Sequence, residues 1–296
     1  CDASHSPSTP EPKPLTTSEI ETDLVVLYYK KGDYLVPVSL KCAKDQDFPN
    51  TVVDILLSGG VPEGFHNPLA GVTLRGLSSD GGTVAVDLSK EFLEGDTKAK
   101  KDQLIYTLMT CDHVDKADLF VEGNILSNIL ETPKDINFQQ PLSMDGEPED
   151  FIETDNLLTL YYVDQDRYLV PVTLMSEKIP PTPMPSDKAK AALEHLAQGP
   201  QELEGLVDIF PHKAKADVDV KENIAQVDID SKLLVNIAKD MEEAKLALET
   251  ILLTLTSIDG VDKVQFHIGG RRFGYIVDGM DISNPLPRPK YFNQLQ

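Results

Sequence analysis

The phrase LYYKKGDYLVPVSL at 27–40 returns as LYYVDQDRYLVPVTL at 160–174, with one residue added in the middle. A duplication this close demands either two copies of one domain or one fold made of two halves. Each phrase is aromatic and β-branched on both sides of a polar turn, which predicts a β-hairpin. Pro37 and Pro171 stand at the same point of the second strand. Proline has no N–H to give, so that strand is expected at a sheet edge or bulged. The added residue falls in the turn, where insertion costs least.

The rest of the chain keeps the duplication. A short helix is expected over TVVDILLSGG (51–60) in the first copy. In the second it runs from an N-cap at Ser186 to a stop at Gly199, with Ala189, Ala192, Leu193, Leu196 and Ala197 on one apolar stripe. A second hairpin follows, with VTLRGL and TVAVDLS around SSDGG, then ADVDV and IAQVDID around KEN. The long helices are TKAKKDQLIYTLMT (97–110) and DMEEAKLALETILLTLTS (240–257). Leu104, Ile105 and Leu108 answer Ile251, Leu252 and Leu255 at one constant spacing, which also relates the strands VDKADLFVEG and VDKVQFHIGG. Gly269-Gly270 reads as a turn into RRFGYIV.

Each copy therefore reads ββ-α-ββ-α-β, a whole domain rather than half of one. The fold class is α+β: two tandem copies of a two-layer α/β domain, a mixed sheet with hairpins and two helices on one face. The expected boundaries are a tether at 1–23, domains at 24–142 and 157–289, an acidic Pro-containing linker at 143–156 and a C-terminal tail at 290–296. INFQQPL (136–142) resembles ISNPLP (282–287), so each copy is expected to end in a similar strap.

The formal net charge of -22 on 296 residues repels phosphate backbones and excludes nucleic acid as a partner. No run of about 18 apolar residues is present to span a bilayer. The chain begins with Cys1, followed by a Ser-, Thr- and Pro-rich stretch with few apolar residues and no periodicity. That pattern resembles a lipoprotein, with Cys1 lipidated and the stretch after it a tether in front of the folded part. Cys42 and Cys111 lie at unmatched positions and read as small buried side chains, with a disulfide as the alternative.

The motifs of catalysis are missing. None of the six histidines belongs to HExxH, and no GxSxG, Walker loop or GxGxxG occurs. Cys111-Asp112-His113 is the nearest approach to a reactive cluster. The recurring Asp87 and Asp228 end strands and read as Asx turns that bond nearby backbone N–H groups. Asp217, Asp219, Asp228 and Asp230 alternate along strands without calcium-loop spacing, so they read as solvated faces. No catalytic residue, cofactor or metal is expected. Tyr28-Tyr29 and Tyr161-Tyr162 recur intact; one of each pair should face the core and the other outward, where it would serve as an interface anchor.

LYY…YLVPV, the helix ending in Gly, the VDLS-type strand end and the helix–strand unit closing on Gly resemble the GerM domain family. The resemblance covers 24–142 and 157–289, nearly all of the folded chain. It implies a fold related to the ring-building motifs of secretion systems, and no enzymatic activity. It implies a lipid-anchored extracytoplasmic protein of sporulation and germination, in the space between mother cell and forespore. There it would help assemble the secretion complex that links the two cells. The implied partners are proteins of the sporulation envelope complex, possible further copies of the chain, and the membrane through Cys1. The alternative is an anchored lipoprotein that binds a ligand or wall polymer in an inter-domain groove.

Overall fold

The computed structural model describes residues 22–43, 48–126, 154–210, 216–230, 240–272 and 276–295. Cys1 and the stretches 1–21 and 127–153, with the INFQQPL strap, lie outside the described residues.

In the first copy β1 (Thr22–Lys31) and β2 (Tyr34–Ala43) form an antiparallel hairpin in which Tyr28 lies opposite Pro37. Gly32 takes the left-handed backbone the tight turn needs, φ 59°. Helix α1 spans Phe48–Leu57 and begins three residues ahead of the expected Thr51. A second sheet has the order β3 (Leu74–Asp80), β4 (Thr83–Leu88), β5 (Lys116–Val121), β6 (Asn124–Ile125). β4 and β5 pair in parallel. The crossover between them carries α2 (Thr97–Met109), whose N-cap Asp96 accepts from Ala99 N at 3.0 Å.

The second copy repeats this plan. β7 (Leu157–Asp164) lies between β8 (Leu169–Met175) and β9 (Leu206–Val207). Helix α3 (Pro185–Gln198) precedes β9 in the chain. β10 (Ala216–Lys221) and β11 (Ile224–Ile229) form the second hairpin around Glu222-Asn223. Helix α4 (Met241–Leu255) crosses to β12 (Lys263–Ile268), which runs parallel to β11. Short strands close the copy: β13 (Arg271–Arg272), β14 (Ile276–Val277), β15 (Met280–Asp281) and β16 (Leu286–Pro287).

One local expectation changes. The N-cap of α3 is Met184, with Pro185 at the first helical position, where its fixed φ suits the helix and its missing N–H is no loss. Asp187 closes that end by accepting from Met184 N at 2.9 Å. Ser186 sits inside the first turn and reaches sideways: its Oγ donates to Asp219 at 3.1 Å and accepts from Val220 N at 3.0 Å, tying the helix to β10.

The strands of the first copy fall in two sheets and those of the second in three, and each long helix touches both the first-hairpin sheet and the sheet with the parallel pair. Along α2, Gln103, Thr107 and Thr110 fall at i, i+4 and i+7, one face of the helix. That face lies along the free edge of β1. Thr107 Oγ1 accepts from Tyr28 N at 3.1 Å, Gln103 Nε2 donates to Tyr28 O at 2.8 Å, and Thr110 Oγ1 donates to Val26 O at 3.3 Å. The side chains of a helix thus stand in for a third strand, and the hairpin remains its own sheet. The second copy repeats the device, with Tyr161 N donating to Thr254 Oγ1 at 2.9 Å. Thr107 and Thr254 are wholly buried because backbone groups are their partners. The other faces of these helices carry the core: Leu104, Leu108, Ile251 and Leu255 are buried, each worth about 1.5–3 kcal/mol.

Candidate functional site at the domain junction

The four repeated tyrosines are all buried, with 6, 2, 1 and 6% exposure for Tyr28, Tyr29, Tyr161 and Tyr162. Each pair does split between the two faces of its hairpin. Tyr29 and Tyr162 join the main core. Tyr28 packs with Val26, Leu35 and Tyr106, its ring 5.5 Å from that of Tyr106. Tyr161 packs with Val163, Leu169, Leu253 and Phe292. The expected outward-facing anchor is therefore corrected: the second face is covered too, by the long helix and by the chain's own C-terminal stretch. Burial raises the pKa of Tyr29 and, with the nearby Asp208 charge, that of Tyr162.

Asp87 and Asp228 are equivalent in structure as in sequence, but they do not make local turns. Asp87 Oδ1 accepts from Gly123 N and Asp228 Oδ1 from Gly270 N, both at 3.0 Å. Each pins the hairpin turn that follows the neighbouring parallel strand. Arg75 also contacts Asp87, at 3.3 Å, and pairs with Glu122.

The two copies meet through their hairpins. Lys31 at the end of β1 donates to Asp164 at 2.5 Å and to Asp166 at 2.6 Å. Its ammonium lies 5.2 Å from the Tyr168 ring centre and 5.9 Å from that of Phe65. Burial works against the charge on Lys31, but the bonds to Asp164 and Asp166 outweigh it and raise its pKa. Tyr34 Oη donates to Glu204 O at 2.9 Å. Burial first, then the charges of Asp33 and Glu204, push the Tyr34 phenol up to about 12.

The stretch expected as a C-terminal tail is a bridge as far as Leu295. Arg288 fixes it to the second domain, donating to Leu253 O at 2.7 Å at the end of α4 and to Tyr161 Oη at 2.7 Å. Lys290 reaches Asp112 of the first domain at 3.1 Å. Ser39 N donates to Asn293 O at 3.1 Å and Leu295 N to Ser39 O at 3.0 Å, so the stretch adds itself to the edge of β2. Sequence reading missed these residues; a single Asn or Arg near a chain end carries no periodic signal.

A groove opens on each side of the junction. One, of about 300 Å³, is lined by Tyr28, Tyr106, Tyr161, Arg288, Lys290 and Phe292 among others. The other, of about 440 Å³, is lined by Tyr29, Ile55, Val61, Tyr168 and Leu295 among others.

Reactive groups do not converge here. Cys111 is buried, Asp112 is engaged by Lys290, and His113 occupies a left-handed turn position, φ 65°. Cys42 and Cys111 are not joined by a disulfide. His195 is half-buried, with Nε2 2.8 Å from Ser176 Oγ. Burial and Lys178 lower its pKa against the opposing charge of Glu194. Ser176 Oγ also accepts from Lys178 N at 3.2 Å, so the pair braces the end of β8 against α3. Among the described residues no cluster of His, Cys, Asp or Glu is placed to hold a metal, and no helix is long and apolar enough to cross a membrane.

The fold and the junction define a duplicated α+β protein whose copies are locked hairpin to hairpin. The family model described as Germane, sporulation and spore germination, matches residues 26–127 and again 159–273, and the chain belongs to that family. It is 26% identical over 286 residues to the spore germination protein GerM of Bacillus subtilis (strain 168), covering 89% of this chain and 76% of that protein. The solved tandem GerMN domains of the Bacillus subtilis sporulation protein GerM superpose with a TM-score of 0.70 at 23% identity. They cover 93% of this chain and 99% of theirs. The tandem α+β architecture expected from the repeat is therefore the architecture of that fold.

Proposed function

We propose that the chain acts in sporulation or germination as a non-enzymatic envelope protein that helps a multiprotein complex assemble. The observation that carries this reading is that both copies match the same sporulation and germination family. The secretion complex between mother cell and forespore is the assembly this reading names. It is supported by two domains of one fold joined through a hydrogen-bonded junction, which present two related surfaces on one chain. Attachment to the membrane through Cys1 is part of the same reading, supported by the composition of the stretch that follows Cys1. The test is a clean deletion in the source organism, scored by heat-resistant spores and their germination. A large loss restored by the wild-type chain and not by Cys1→Ala supports an anchored assembly factor. Normal spores and normal germination overturn it.

A second reading has its own observation. The groove of about 300 Å³ at the junction, walled by aromatic side chains and two cations, has the minimum size of a small-ligand site. Saturable binding of a wall-polymer fragment, abolished by Tyr106→Ala with the fold intact, would favour a ligand-binding lipoprotein.

A further inference from the structure

Lys31 and Asp164 occupy the same place in the two copies, four residues beyond the leucine of each LYY, and they bond to one another. The surrounding contacts are reciprocal. The backbone bridge Lys30 to His66 in the first copy recurs as Val163 to Val207 in the second, so 63–66 corresponds to 204–207. Tyr34 of the first domain bonds Glu204, and its counterpart Tyr168 packs edge-on against Phe65, with ring centres 5.0 Å apart. β2 faces β8, its own counterpart. A contact in which these hairpin elements meet their equivalents has a local two-fold axis; it is the isologous geometry of a symmetric dimer.

The chemistry on that axis is not self-complementary. A first domain on another first domain would set Lys31 against Lys31. A second domain on another would gather Asp164 and Asp166 from each side. The bridging stretch is held to the second domain by Arg288 and Asn293, and it reaches the first through Asn293 to Pro37 O, Lys290 to Asp112 and its backbone to Ser39. The junction thus has the geometry of a dimer and the charges of an unlike pair.

We propose that this junction is a subunit interface for a second copy of the chain: the first domain of one copy takes the second domain of another through these contacts, and reciprocally. The product is a closed dimer with both junctions made in trans. The segment 127–153 spans roughly 90 Å at full extension, so chain connectivity permits either pairing. A single chain favours the cis pairing through its high effective concentration. The trans pairing therefore needs crowding of copies or a penalty on the cis contact. This inference stands apart from the sporulation reading, and neither falls with the other.

The experiment imposes that penalty. One full-length chain carries Lys31→Glu, and a second carries Asp164→Lys with Asp166→Lys. Each alone sets like charges across its own junction, and each is expected to be a folded monomer with separated domains, seen as a larger maximum dimension in small-angle scattering. Mixed in equal amounts, the two restore both junctions only in trans. Light scattering should then read twice the chain mass, with neither parent doing so alone. A mixture that stays monomeric overturns the proposal, and so do single-variant chains whose domains stay docked. If either chain fails to fold, the wild-type chain at rising concentration decides the matter: twice the chain mass in light scattering at high concentration supports the proposal, and a monomer at every concentration overturns it.

Discussion

Asn293 binds Leu169 as a neighbouring strand would: its Oδ1 accepts from Leu169 N at 2.9 Å and its Nδ2 donates to Leu169 O at 2.8 Å. The same Nδ2 donates to Pro37 O of the other domain at 2.8 Å. The Asn293 backbone is left-handed, φ 52°, which asparagine tolerates better than most residues. Asn293→Ala removes all three side-chain bonds and adds backbone strain, at a cost of roughly 2–4 kcal/mol. Asn293→Gly removes the bonds without the strain. Both variants should lower the urea midpoint and lengthen the molecule in small-angle scattering, Ala more than Gly. Unchanged stability and dimensions in both would show that the bridge does not hold the junction.

Thr254→Val keeps shape and takes away the acceptor of Tyr161 N; Thr107→Val does the same beside Tyr28. Each should destabilise its own domain by roughly 1–3 kcal/mol, the cost of a buried donor without an acceptor. The two sites lie in different domains, so their effects in the double variant should add. Denaturant unfolding followed by circular dichroism checks this; a stabilised valine variant would show that the threonine bond contributes nothing net.

The repeat carried the architecture in the sequence. The hairpins, the long helices and the edge position of Pro37 all follow from local periodicity and turn chemistry within a dozen residues. Even the shared word Val86-Asp87 and Val227-Asp228 marked a real equivalence, although its partners proved to be glycines on the next hairpin. The junction was not legible in the same way. Lys31 and Asp164 read as ordinary turn charges, and Asn293 as part of a tail, because their partners lie more than a hundred residues away. Gln103, Thr107 and Thr110 were hidden for another reason. Beside Leu104, Ile105 and Leu108 they look like the polar side of an amphipathic helix, and only the free edge of β1 makes that side a buried one.

His195 ties acid stability to the second domain. Burial keeps its imidazole neutral when folded, below the ordinary pKa of about 6.5 that the unfolded chain retains. Just below that pH the unfolded state binds the extra proton and the folded state does not, so this contribution is present above about 6.5 and declines as pH falls through the folded pKa. His195→Gln should flatten the fall in stability between neutral and mildly acidic pH. A proton NMR titration in which His195 titrates at or above its ordinary value would contradict the sign.

Arg288 anchors the bridge at its root. One guanidinium nitrogen bonds Leu253 O at 2.7 Å, Thr256 Oγ1 at 3.1 Å and Ser257 Oγ at 3.0 Å, while the other bonds Tyr161 Oη. A lysine supplies the charge but not the planar fork, so Arg288→Lys should fall closer to Arg288→Ala than to the parent. The readout is local. Trypsin cannot cut efficiently before Pro289, but it can cut after Lys290 once the stretch leaves the β2 edge. Cleavage at Lys290 should be slow in the parent and faster in both variants. The rate should follow the population of the detached stretch as long as reattachment outpaces cutting. Equal cleavage rates in all three chains would place the anchor elsewhere, in Asn293 and the Ser39 pairing alone.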